Sequence, residues 1–242
     1  MFTTIITHHP PDSILSKDSN KMATRFYFEP TTAADVSPSF DGGWEQTGQA
    51  VRRKLTSNLN ITQTALTNSA TITIPVTTTQ DILCYQFVSS PLRPQVVGGA
   101  ISMVIRTVTD NITTGATLAM LAKVVSNDGG TSRGTLFSVF GTGSTYNNSA
   151  ETRIVSSSAL TNVIAQAGDR LVIEVGTRAT TPAIAGTYNM RAGSSASTDF
   201  ALTAGLTTDL NPWVEFSQNI NFSYPKQNAG LRPNIYAPGI AR

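Results

Sequence analysis

The sequence predicts an all-β fold: a jelly-roll-like two-sheet β-sandwich with extended N- and C-terminal arms. Three observations predict it. Thr and Ser together approach a quarter of the 242 residues, and charged residues make up 13%, about half the usual share for a soluble domain. The apolar fraction of 40% is ample for a core, so the low charge does not signal disorder. Short stretches alternate with the two-residue period of half-buried strands, divided by Gly, Asn and Asp turns, and no capped amphipathic helix of several turns interrupts them.

The length suits one sizeable core, or at most two small ones. Three zones emerge: an N-terminal extension over 1–21 broken by "HHPPD", a β-domain over 22–222, and an extended C-terminal arm over 223–242. Within the domain, "TRFYF" (24–28), "GQAVRRKL" (48–55), "SATITIPV" (69–76) and "DILCYQFVS" (81–89) read as strands. So do "GAISMVIRTV" (99–108), "ATLAMLAKVVS" (116–126), "GTLFSVF" (134–140) and "TRIVSSS" (152–158). "DRLVIEVGTR" (169–178), "GTYNMRAG" (186–193) and "PWVEFSQ" (212–218) complete the set. "ATLAMLAKVV" is rich in helix formers, but the turn "NDGG" at 127–130 assigns it to a hairpin. "GTGS" (141–144) and "AGD" (167–169) supply further turns.

The net charge of +2 hides an asymmetry. Residues 1–21 cancel, residues 22–222 sum to −1, and the last twenty carry Lys226, Arg232 and Arg242 with no acid. The body is therefore not a nucleic-acid binder. No apolar run approaches the roughly 18 residues of a membrane span. The N-terminus lacks the basic region and cleavage site of a secretory signal.

The chemistry is sparse. His8 and His9, the only histidines, both fall in the extension, so the domain offers no Ser-His triad and no His-based zinc site. Cys84, the single cysteine, sits mid-strand and reads as a small buried hydrophobe. Asp169 and Glu174, five apart, fall on opposite faces of a strand and do not form a hydrolytic pair. Asp199, Asp209 and Glu215 are candidates only by being acidic. "NDGG" and "TDNIT" lack the carboxylate density of a calcium loop, and "GTGSTY" lacks the basic residue and helix of a phosphate loop. No catalytic residue, metal or cofactor is expected.

Two features remain. Trp44 and Tyr146 are candidates for a glycan platform, with Trp213 a third aromatic of undecided burial. The arm "YPKQNAGLRPNIYAPGIAR" has three prolines, so it forms neither a long helix nor a central strand. Yet Tyr224, Leu231, Ile235, Tyr236 and Ile240 recur along it, interspersed with Arg232 and ending at Arg242. Apolar anchors at wide spacing describe a docking strap rather than a solvated linker.

Residues 22–219 resemble a group of tailed-bacteriophage virion structural proteins. The stretches that carry the resemblance are "MATRFYFEP" (22–30), "VSPSFDGGWEQTGQAVRRKL" (36–55), "TTTQDILCYQFVS" (77–89), "KVVSNDGGTSRGTLFSVF" (123–140), "AGDRLVIEVG" (167–176) and "DFALTAGLTTDLNPWVEFS" (199–217). Members begin at the equivalent of Met22, and the final twenty residues lie outside the likeness. The resemblance implies a non-enzymatic virion protein, made in the host cytoplasm, and brings no catalytic residue with it. The expected role is a capsid decoration or cement protein that bridges capsid subunits. Its partners would be the major capsid protein or other virion proteins and copies of itself, a trimer being one form. The alternative is a tail- or fibre-associated protein that binds a host surface glycan through the sandwich; a hydrolase is a further rival.

Overall fold

The computed structural model describes residues 23–59, 66–72, 78–110, 115–180, 186–206 and 209–223. The extension 1–21 lies outside the described residues, as do the arm residues Tyr224, Leu231, Arg232, Ile235, Tyr236, Ile240 and Arg242. The chain is all-β, and its strands form a two-sheet sandwich.

In chain order the strands are β1 (Thr24–Phe28), β2 (Val51–Thr56), β3 (Leu66–Ile72), β4 (Gln80–Val88) and β5 (Gln95–Val97). β6 (Ile101–Thr109), β7 (Thr117–Val125), β8 (Ser132–Thr142), β9 (Glu151–Ser157) and β10 (Val163–Ala165) follow. Last come β11 (Arg170–Ala179), β12 (Gly186–Ala192), β13 (Gly205–Leu206) and β14 (Trp213–Phe216). Each of the eleven stretches read as strands from sequence overlaps one, with ends shifted by a few residues. β3 begins at Leu66, ahead of "SATITIPV", whose residues 73–76 lie outside the described residues, and β5, β10 and β13 are additional.

One sheet runs β13-β9-β6-β14-β1, with β12 beside the far half of β6 and β3 beyond it. The other runs β4-β11-β7-β8. β2 belongs to both. Its Val51–Lys54 run parallel to Tyr85–Val88 of β4, and its Leu55 and Thr56 pair antiparallel with Phe28 and Tyr27 of β1. The strand turns a corner of the sandwich.

Between the sheets, Phe26, Met103 and Val214 meet Cys84, Met120 and Ile173 in one apolar core. Phe28 stacks on Phe87 at 4.5 Å and Phe87 on Tyr85 at 5.2 Å. The outer faces are covered as well. Phe40 and Trp44 pack on Leu83 and Ala119, and Ala34 and Val36 on Val88, Val125 and Val172. On the opposite sheet Phe200 and Leu210 pack on Val104 and Trp213. Covering both faces explains why β4, β7 and β11 read as nearly unbroken apolar runs, and why β7 lacked the alternation that distinguishes a strand from a helix.

The β7–β8 hairpin turns through Gly129 at φ +79°, and a Cβ there would press on Pro38 at 3.0 Å. The glycine thus serves both the turn and the covering loop.

Candidate attachment surface

The covering loop over β4, β7 and β11 is pinned by a buried ion pair. Lys123 Nζ lies 2.9 Å from Glu174 Oε1, the two side chains being 6% and 0% exposed. Glu174 also accepts from Trp44 Nε1 at 2.7 Å, Gln86 Nε2 at 2.9 Å and the Asp41 amide at 3.2 Å. Lys123 donates to the Ser39 carbonyl at 3.0 Å. Arg52 donates to Gln86 Oε1 at 2.9 Å and lies over the Phe40 ring at 4.0 Å. The stretches "SPSFDGGWEQ", "KVVSNDGG" and "RLVIEVG" meet at this one knot, where both carboxylate oxygens of Glu174 and the Lys123 ammonium are spent on holding chain to chain.

The other carboxylates are held in the same way. Asp169 takes Arg133 in a forked contact at 3.0 and 3.2 Å and caps the Gln166 amide. As the strand period requires, it does not share a face with Glu174. Asp199 and Glu215 flank Arg25, whose guanidinium lies 3.9 Å from the Trp213 ring centroid. Tyr27 donates to Asp199 at 2.9 Å, and burial together with that bond pushes its hydroxyl up to about 12. Burial likewise pushes the Cys84 thiol up to about 12, against a smaller opposing effect of a hydrogen bond with Thr177. That is the environment of an inert thiol, not of a nucleophile. Among the described residues no three metal-ligating side chains gather.

The glycan platform is corrected. Trp44 is 5% exposed, its indole bonded to Glu174 and its ring edge set against Phe140 at 4.8 Å. Tyr146 is 2% exposed, accepts from Thr177 Oγ1 at 3.2 Å and meets Tyr188 edge-on at 6.4 Å. Both rings are spent on packing, so neither offers a face to a sugar. Trp213 is buried too, donating to the Phe200 carbonyl at 2.7 Å.

What the sequence reading missed lies at one end of the sandwich. β5 and β10 form a separate two-stranded sheet in which Val96 stands directly opposite Ile164. Val97, Val163 and Ala165 point inward, which leaves Val96 53% and Ile164 73% exposed. The segment 217–223 runs antiparallel alongside 91–98: Gln218 donates to the Val96 carbonyl, Asn221 exchanges bonds with Gln95, and the Ser223 amide donates to the Pro91 carbonyl. Ile220 in turn donates from its amide to Thr24 Oγ1. The described chain therefore starts and stops at the same end, beside an exposed apolar pair. Two short stretches, "QVV" and "VIA", were the only sequence signal, since alternation turns Val96 and Ile164 outward where Val97, Val163 and Ala165 turn in.

Next to these exits is a groove of about 870 Å³, lined by Lys54, Leu55, Ser57, Pro91, Ile220 and Phe222 among others. It marks where β2 leaves β4 to join β1.

No family model and no curated protein matches this chain. Among solved structures, a CocE/NonD family hydrolase from Staphylococcus aureus is similar at 8% identity and a TM-score of 0.48, over 84% of this chain and 37% of the hydrolase. Infectious bursal disease virus Gx strain gives 11% identity and a TM-score of 0.24, over 63% of this chain and 36% of that one. The Gt strain gives 13% and 0.17, over 62% and 38%. This chain thus spans well under half of each, and likenesses at this level carry no argument about what it does.

Proposed function

We propose that this chain is a non-enzymatic structural protein of a tailed-phage virion, seated on the capsid as a decoration or cement protein. The observation that carries the reading is the gathering of both chain exits and the Val96–Ile164 pair at one end of the sandwich. Elsewhere the protein covers its own sheet faces with its own loops. The resemblance of residues 22–219 to phage virion proteins supports the same reading.

Two side chains fall far short of the about 800 Å² per partner that a stable interface buries. The end needs additional contact, from the C-terminal arm and from further copies in a homo-oligomer. Rigid body plus strap gains by effective concentration what neither contact supplies alone.

Co-sedimentation with phage heads that lack this protein tests the reading, with host cells run in parallel. The intact protein is expected to pellet with heads. A chain ending at Ser223, and a Val96→Lys/Ile164→Lys variant, are each expected to bind at least about tenfold more weakly, because each removes one of two linked contacts. Binding to cells and not to heads would move the protein to the tail and overturn the capsid role.

A further inference from the structure

The groove beside the chain exits has a specific origin. After Lys54, β2 stops following β4 and pairs with β1 instead, while β4 ends at Val88 and the chain continues through Ser90 and Pro91. Residues 54–58 and 90–93 thus form two walls that share no ladder, and 219–223 close the base. The sandwich is open at this corner. Leu55 and Ile220 are buried on its floor, and Phe222 packs there against the core.

We infer that the first part of the C-terminal arm, Tyr224 to Leu231, seats in this corner of its own chain. Three observations converge. Ser223 is itself a wall of the groove, held by the Pro91 and Leu92 carbonyls, so the next residue begins inside it. The antiparallel run of 221–223 past 91–93 directs the chain along the 90–93 wall rather than back toward β5. The arm places an apolar residue at its start, Tyr224, and another at Leu231, and the partly buried Phe222 is the floor side chain still open to them.

Size sets the limit. About 870 Å³ is within the range of a pocket that encloses a drug-sized ligand; in an open groove that is room for a short stretch of backbone with some side chains turned outward, not for all nineteen residues. The corner therefore fixes the root of the arm and leaves Arg232–Arg242, with Ile235, Tyr236 and Ile240, to reach outward. The N-terminal lead opens into the same corner, since Ala23 lines a recess of about 380 Å³ that shares Ser57, Asn219, Ile220 and Phe222 with the groove, so deletion of residues 1–21 is the control that separates the two occupants. Charge does not draw the arm in: Lys54 and Arg93 outnumber Asp35 on the walls, Asp35 is paired with Arg170, and the arm is cationic, so the seat rests on chain direction and packing. This seat stands whatever the distal residues grip, so it can fail without the capsid role failing.

The test uses the full chain with Ser57→Cys and Leu231→Cys. Cys84 is fully buried and stays silent. Oxidation at high dilution is expected to give an intramolecular crosslink in a monomer, in a yield that high salt does not lower. Crosslinked dimers alone would assign the groove to a neighbouring copy's arm, and two remaining free thiols would leave it without the arm; either result overturns the inference. Hydrogen exchange provides the second measurement. Ending the chain at Ser223 is expected to speed exchange over 54–58 and 219–223 on the order of tenfold, and removing residues 1–21 to leave it unchanged. The reverse pattern, or no change with either deletion, would also overturn it. Should the shortened chain fail to fold, the crosslink on the full chain still decides.

Discussion

Glu174 is fully buried, yet it meets four donors, one of them a lysine that is itself almost inaccessible. A charge pair in that position contributes less by its attraction than by the penalty for breaking it. Replacing Lys123 with Met leaves the carboxylate buried without its cation, and is expected to cost about 3–5 kcal/mol in a denaturant titration. A loss below about 1 kcal/mol would show that Trp44, Gln86 and the Asp41 amide suffice. The residue types at this knot were visible in the sequence, but their meeting was not. Asp41 and Glu174 lie 133 positions apart, and no local period announces such a contact. For the same reason Trp44 read as a possible sugar platform: a tryptophan after "FDGG" looks like an exposed loop residue until the buried carboxylate beneath it is known.

At the scale of elements, β6 and β12 place Arg106 directly opposite Arg191, a pairing that repels. Asp209 answers both, its Oδ1 lying 3.2 Å from one guanidinium and 2.6 Å from the other. Asp209→Asn is expected to destabilise by about 0.5–1 kcal/mol, the worth of an unfavourable cross-strand pair, with the loss shrinking in high salt. A loss that salt leaves untouched would assign the effect to something other than the two arginines. The long strands were legible because alternation or continuous apolar character marks them over seven or more residues. β5, β10 and β13 were not, since two or three residues hold too little period to stand out from a loop. The surface proposed for attachment is built on β5 and β10, three residues each, which is why the sequence pointed to the arm and passed over its surroundings.

For the whole molecule, two tyrosine hydroxyls and a thiol withdrawn from water give a direction to the pH dependence. Tyr27 and Cys84 both hold their protons to about pH 12 in the folded protein, whereas in an unfolded chain they release them near 10 and 8.5. Burial also raises Tyr146. Their folded-state values lie above the unfolded ones, so their contribution is fully present below about pH 8 and is lost as pH rises toward 12. The denaturant midpoint is expected to fall steadily across that window. A flat profile would mean that these hydroxyls and the thiol are reached by water. At this scale the sequence made the fold class legible. It could not supply the coincidence of the two chain exits, which depends on β1 lying beside β14, with Thr24 opposite Phe216.

That coincidence has a mechanical meaning. In an antiparallel pair whose outward leads leave from the same end, tension applied between the leads peels the ladder one bond at a time, starting with the outermost. Tension applied to both leads together against the body loads many bonds at once, including those of 217–223 to 91–98. If the chain is seated on a capsid as proposed, a particle that swells would pull in the second way. The domain would resist being torn off, yet it could be unzipped by a force drawing its two ends apart.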